Sequence, residues 1–400
     1  VCLLSARPVQ SCAGSARGAV AATVESYRFH HGKGRAGTVF VACRDLKFAK
    51  GRFALMGTVI VLITLLVGLL SGLTAGLGRQ NTSAITGLPA DRIAFQAPGD
   101  GQDLSYSDSV VTEQQWRQWS GAPGVESAEP LGITTTKAGA GDRSTAVSAF
   151  GVEPGSRLAP HSDEIDDGTV VLSAAAADDL GVKDGDTLTL AGRPLTVAAV
   201  QGDAYFSHTP VVWTSLDVWR ETAPPTGGAK GPRATVIALD TTSAADTAAT
   251  DRQAGTRTVS TEDSLSAIGS YTSENGSLQL MRGFLFAISA LVIGAFFTVW
   301  TLQRSGDVAV LKALGASTAG LLKDALGQAV VLLAGGTLLG TGIAAALGTL
   351  VAGSAVPFLL TPATVLVPAA VTILLGALGA ALSIRRITSV DPLTALGSAR

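Results

Sequence analysis

The chain has 400 residues, of which 47% are hydrophobic and only 15% charged, with a mean hydropathy of +0.38 and a net charge of −2. That balance places part of the chain in lipid. The charge is also partitioned: residues 78–279 hold 26 Asp and Glu against 13 Lys and Arg, whereas the remainder holds 16 basic and 5 acidic residues, a membrane-topology pattern and not a nucleic-acid footprint.

Residues 1–38 carry several arginines and no apolar run of signal-peptide length, so they read either as a disordered cytoplasmic tail or as a leader from a start codon set too early. All three cysteines, Cys2, Cys12 and Cys43, precede the first apolar run, so no disulfide is expected in the large polar insert. Together with His30 and His31 they lack zinc-ligand spacing, and no metal is expected. Residues 39–52 form a basic, membrane-proximal segment with Arg44, Lys47, Lys50 and Arg52.

The first span is expected at 53–77, 25 residues without a charge, roughly 37 Å as a helix. Gly68, Gly72 and Gly76 form overlapping G-x-x-x-G units on it, a stripe that lets another helix approach closely, or simply frequent glycine in a chain that has 47.

Residues 78–280 read as one mixed α+β insert large enough to bury its own core. Leu88–Ala97 is expected to be extended, and Thr112–Gln115 opens a helix with a capping box that carries Trp116 and Trp119 into the core. Strands are expected at Thr169–Leu172, Thr187–Leu190 and Leu195–Val200, with a helix capped by Ser173 and stopped at Gly181. Ala191–Pro194 is expected as a turn, Tyr205–Thr214 as one apolar extended piece, 222–233 as a Pro/Gly-rich loop and Thr235–Leu239 as a strand. Ser260–Asp263 is expected to start a helix towards the bilayer, interrupted near Asn275–Gly276.

Three further spans follow at 283–302, 325–353 and 364–384, the third with Gly336, Gly340, Ala344 and Gly348 at four-residue spacing. Between the second and third, 303–324 holds Arg304, Lys312 and Lys323, which mark it as a cytoplasmic loop. Asp307–Leu314 fits about two helical turns, Gly315 supplies a stop, and Ser317 caps the helix that re-enters the bilayer. It reads equally as a helical peg that takes force from a cytoplasmic partner or as an ordinary tight loop. Arg385 and Arg386 end the last span on the basic side, and 385–400 is a cytoplasmic tail. Both termini are therefore expected in the cytoplasm, with the acidic insert outside.

No P-loop, G-x-S-x-G motif or calcium-loop pattern occurs. His161 and His208 read as surface histidines, and Asp163, Glu164, Asp166 and Asp167 as a solvated acidic loop. The four spans contain no Asp, Glu, Lys, Arg or His, which argues against a transporter that moves ions or protons through its own membrane core.

In order and topology the chain resembles the FtsX/MacB-type permease subunits of ABC transporters. Gly306–Ser317 is similar to that family's E-x-A-x-L-[RK]-A-L-G-A-[ST] signature, Leu180–Thr187 to its L-G-x-x-x-G-D-x-[LV], and Asp391–Leu396 to its terminal [DN]-P-x-x-A-L. The resemblance covers about residues 40–400 and implies a plasma-membrane subunit that pairs, as a homodimer or heterodimer, with a separate cytoplasmic ATPase. ATP and magnesium would bind in that partner and none in this chain. Asp307, Val308, Leu311, Lys312, Leu314 and Gly315 would meet the ATPase, while Gly68, Gly72, Gly76, Gly336 and Gly340 would pack helices in the membrane. ATP-driven closure would push the peg, and the first two spans would relay the motion outward to export or extract an amphiphile. The alternative is an FtsX-like signalling scaffold that switches an extracellular cell-wall hydrolase.

Overall fold

A computed structural model of the chain describes residues 50–223, 233–303, 306, 310, 315, 317–351 and 356–388. Four long apolar helices flank a mixed α+β domain set between the first and second of them. The N-terminal segment, much of the 222–233 loop, and Asp307, Val308, Leu311, Lys312 and Leu314 lie outside the described residues.

Helix α1 (Lys50–Thr86) runs nine residues beyond the end expected at Leu77. Gly78 follows Leu77 but does not stop the helix, because the polar extension beyond it finds partners in the inserted domain. Twelve strands come next, β1 (Arg92–Gln96), β2 (Val111–Thr112), β3 (Val125–Ala140), β4 (Arg143–Val152), β5 (Thr169–Leu172), β6 (Thr187–Leu190), β7 (Arg193–Val200), β8 (Tyr205–Phe206), β9 (Thr209–Ser215), β10 (Arg233–Ala234), β11 (Val236–Thr241) and β12 (Thr256–Ser260). Four short helices punctuate them, α2 (Glu113–Ser120), α3 (Ala174–Leu180), α4 (Leu216–Thr222) and α5 (Thr247–Ala254). The remaining spans are α6 (Tyr271–Gln303), α7 (Thr318–Val351) and α8 (Pro362–Thr388).

The main sheet has the order β12-β1-β11-β3-β4-β9-β5-β7-β6, with β8 paired to β9. Its far end curls back, because β3 pairs with β6 at Ala138–Leu190 and Gly139–Thr189 as well as with β4 along Gly132–Ala140. One face is covered by the short helices, which bury Trp116, Trp119, Leu180 and Val218 against Val147, Ala149, Val170 and Leu188. The other face holds Phe95, Tyr106, Phe150 and Phe206 in a run of edge-to-face ring contacts at 4.8, 5.4 and 5.7 Å. Gly132 and Gly151 are directly paired in this sheet, and Trp219 of α4 lies over both, where any added Cβ would collide with it.

Several local readings differ from the structure. Tyr205–Thr214 is not one extended piece but a tight β8–β9 hairpin, since Ser207 and His208 take positive φ values of 49° and 65°. The expected four-residue turn narrows to Ala191-Gly192, at φ 50° and 89°, and strand β7 begins at Arg193. Ser260 ends β12 and does not start a long helix; its Oγ accepts from Asp263 N at 3.0 Å, opening a single 3-10 turn over Asp263–Ala267. No interruption occurs at Asn275-Gly276, because a lone helical glycine costs only about 1 kcal/mol and the flanking Glu274 is held by partners.

Contacts separate two compact units. In one, Ile60, Ile293, Phe297, Trp300 and Leu333 form the buried core among the helices. Helices α1 and α7 run parallel there: Gly57 meets Leu332, Gly336 meets Ile60, and Gly340 sits on the Val61 carbonyl and Thr64. In the other, which contains the whole α+β domain, Gly68 meets Ala344, Gly72 meets the Phe358 ring, and Gly76 meets the Pro357 carbonyl. Leu359 N donates to Gly72 O at 3.1 Å.

Candidate functional site

A cluster of polar contacts lies where α1 and α6 leave their apolar stretches. Asn81 is 1% exposed, and its Nδ2 donates to Glu274 Oε2 at 2.9 Å and to Ser270 Oγ at 3.3 Å. The same Glu274 oxygen lies 2.7 Å from His208 Nε2 at the tip of the β8–β9 hairpin. Backbone N–H groups of Ser207 and His208 donate to the carbonyls of Asn81 and Gln80, each at 3.0 Å. Ser83 Oγ receives Tyr205 N at 2.9 Å, and Arg79 pairs with Asp203 at 2.7 Å. A domain hairpin is thus wedged against two membrane-entering helices, and the Glu274 side chain is bonded both to Asn81 of α1 and to His208 of the hairpin.

Fold chemistry explains the placement. Phe206 anchors one side of the hairpin in the aromatic run described above. The two positive-φ residues then turn the chain so sharply that consecutive backbone donors face α1. Burial, followed by the nearby Asp203 and Asp179 carboxylates, raises the pKa of the adjoining Tyr205 hydroxyl. This side chain therefore stays neutral beside the helix.

A cavity of about 100 Å³ opens next to this cluster, with Thr74, Leu77, Asn81, Glu274, Leu278 and Arg282 among its lining. Arg282 Nη2 donates to Thr74 Oγ1 at 3.2 Å. None of Asn81, His208, Glu274 or Arg282 stood out in the sequence as a site; contacts spanning 66 and 193 residues leave no local signal.

Of the expected ATPase-contacting residues, Gly315 is described. It has φ 94° and lies in a turn. Ser317 Oγ then accepts from Gly320 N at 3.2 Å at the start of α7. The glycine stripe 68-72-76 and Gly336 and Gly340 are filled from within the chain, by the close contacts given above. Within the acidic loop, Asp166 Oδ1 accepts from Gly168 N at 2.8 Å and Thr169 Oγ1 at 2.9 Å, bonds that hold its carboxyl below the usual carboxylate range. No group of potential metal ligands occurs among the described residues.

The sequence matches the family model for the MacB-like periplasmic core domain over residues 53–257 and the model for the FtsX-like permease C-terminal region over 280–392. The chain belongs to the FtsX/MacB-like permease family. Among curated relatives, the “Putative hemin transport system permease protein HrtB” of Staphylococcus haemolyticus is 25% identical over 360 residues, covering 89% of this chain and 99% of that protein. An uncharacterised ABC transporter permease of Mycobacterium tuberculosis is also 25% identical, over 375 residues, covering 90% of this chain and 99% of that protein. The crystal structure of the periplasmic region of MacB from Actinobacillus actinomycetemcomitans superposes with a TM-score of 0.32 at 14% identity, covering 45% of this chain and 92% of that one.

As an FtsX/MacB-like permease, the chain is a multi-pass membrane protein and an ABC transporter permease. Membership of this family implies an ATPase partner.

Proposed function

We propose that this chain is the membrane subunit of an ABC transporter of the mechanotransmission kind. A separate cytoplasmic ATPase dimer binds ATP and magnesium, closes, and pushes on the Asp307–Gly315 segment. Two copies of this chain, or this chain and a second permease, span the plasma membrane with both termini inside. Helices α1 and α6 carry the displacement to the outer domain, which moves an amphiphilic substrate out of the lipid phase.

One observation carries this reading. Helices α1 and α6 run unbroken for 37 and 33 residues from apolar span to domain, and there the same hairpin grips both. A continuous helix transmits an axial push, whereas a glycine-rich linker absorbs it. Spans empty of ionisable residues fit an energy source outside the bilayer. The staphylococcal relative is named for hemin transport, which makes hemin, an amphiphile, the first cargo to try.

The test is co-expression with the candidate ATPase and purification on a tag carried by this chain. Leu311→Asp with Leu314→Asp should abolish ATPase co-purification and transport while leaving the permease in the membrane. Survival of both would remove Leu311 and Leu314 from the contact.

A further inference from the structure

We infer that residues 356–361, in the connection between α7 and α8, are a strap that fastens the outer part of α1 to α7, with Phe358 as its bolt, and that α1 takes up the displacement of α7 through it. The fastening stands on the contacts alone, whereas the route it supplies rests on the transport reading. In that reading the push enters between α6 and α7, so α6 receives it directly and α1 needs a second connection.

The Phe358 ring lies between a glycine of α1 and a glycine of α7, and a Cβ at either Gly72 or Gly348 would overlap it. About one turn further along α1, Gly76 leaves room for the Pro357 carbonyl. About one turn back, a Cβ at Gly68 would come within 2.9 Å of Ala344 Cβ. Successive turns of α1 are therefore filled without slack by α7 and the residues that follow it. A ring seated between two backbones resists movement of either, because displacement leaves a void on one side and a clash on the other.

A backbone bond reinforces the seat. Gly72 lies five residues inside the end of the charge-free run 53–77, roughly 7.5 Å along the helix. Irregular backbone at that depth must find its partners within the protein. Leu359 N–H finds one in Gly72 O at 3.1 Å, on the helix that the ring grips. The far end of the strap is held too. Thr364 Oγ1 accepts from Thr361 N at 2.9 Å and Thr361 Oγ1 from Thr364 N at 3.2 Å, which ties it to the first turn of α8. Lifting the strap from α1 would strand the Leu359 amide and empty the ring's seat together.

Hydrogen–deuterium exchange of the full chain in lipid nanodiscs tests the fastening without any partner. Amides of 356–361 should exchange slowly. Phe358→Ala should speed exchange in both 356–361 and 67–77 by about tenfold or more, with Phe358→Leu between the two and residues 174–180 unchanged. Free exchange of 356–361 in the unsubstituted chain, or a Phe358→Ala effect confined to that segment, would overturn the fastening.

The route is tested in the complex with the ATPase, using a chain that carries Cys2→Ser, Cys12→Ser and Cys43→Ser. Phe358→Ala should leave ATP hydrolysis in place and lower transport per ATP by about fivefold or more. Gly68→Cys with Ala344→Cys, whose Cβ atoms need to separate by only about 1 Å to suit a disulfide, should then restore transport per ATP on oxidation and lose it again on reduction. A bridge that forms without restoring transport would overturn the route, since refastening the two helices mends a lost connection and not a general loss of structure. A complex that moves no substrate even with Phe358 present would end the transport reading and the route with it, while the exchange result still decides the fastening.

Discussion

His208 Nε2 lies 2.7 Å from Glu274 Oε2, so a turn residue of the inserted domain is tied directly to the first turn of the second membrane helix. The same carboxylate oxygen receives Asn81 Nδ2 from the first membrane helix. One side chain thus joins the two helices to the sheet. Removing it takes one hydrogen bond from each of two partners.

Glu274→Ala should therefore lower stability by about 1–3 kcal/mol, the cost of stranding part-buried polar groups. His208→Ala should cost less, because this pair is about one-third exposed and screened by solvent. In a Glu274→Ala background the His208→Ala loss should shrink by about 0.5–1 kcal/mol. Thermal unfolding of the four chains in one detergent measures this. ATPase co-purification should be unchanged in all four, while transport per ATP falls.

Gly340 rests against the Val61 carbonyl, whereas two residues on, Gly342 faces open space. Gly340→Val should force α7 away from α1 and cost about 1–3 kcal/mol through overpacking. Gly342→Val should be neutral or slightly stabilising, since it removes a helical glycine without a collision. Comparing the monodisperse fraction and thermal midpoint of the two variants separates helix contact from mere loss of glycine.

Trp219 covers the paired glycines Gly132 and Gly151, and its Nε1 has no hydrogen-bond partner. Trp219→Ala should cost about 3–5 kcal/mol and expose the sheet. Trp219→Phe should recover much of that, because the ring face matters here and the indole N–H does not. Denaturant unfolding of both variants tests the difference.

Burial pushes the Tyr106 hydroxyl well above the usual tyrosine value, and the hydroxyl donates to Ser264 Oγ at 2.9 Å. The unfolded chain ionises this tyrosine near about pH 10, while the folded chain resists. Its contribution is thus complete below about pH 10 and is lost as pH rises towards the folded value. Tyr106→Phe should destabilise the protein at neutral pH, by the lost hydrogen bond, and should flatten the alkaline fall in thermal midpoint.

The parts of this architecture that local chemistry controls were legible in the residues. Four charge-free runs marked the spans, and Ser173 with Gly181 fixed both ends of α3, where Gly181 takes φ 69°. What escaped was set by distant partners. Val125–Ala140 carries a proline, two glycines and three threonines in place of strict alternation, yet it becomes the longest strand because β11, β4 and β6 all pair with it. The extension of α1 through Arg79–Thr86 is polar and gave no span signal; its stability comes from the hairpin and Glu274. His208, an isolated surface histidine in the sequence, gained its role only from a carboxylate 66 residues away.

The most direct measurement is ATP hydrolysis by the purified chain alone and after addition of its ATPase partner. The chain alone should hydrolyse no ATP, and the complex should do so in a manner abolished by Leu311→Asp with Leu314→Asp. Hydrolysis by the chain alone, or a complex whose hydrolysis ignores that double substitution, would contradict a permease driven from outside through this segment.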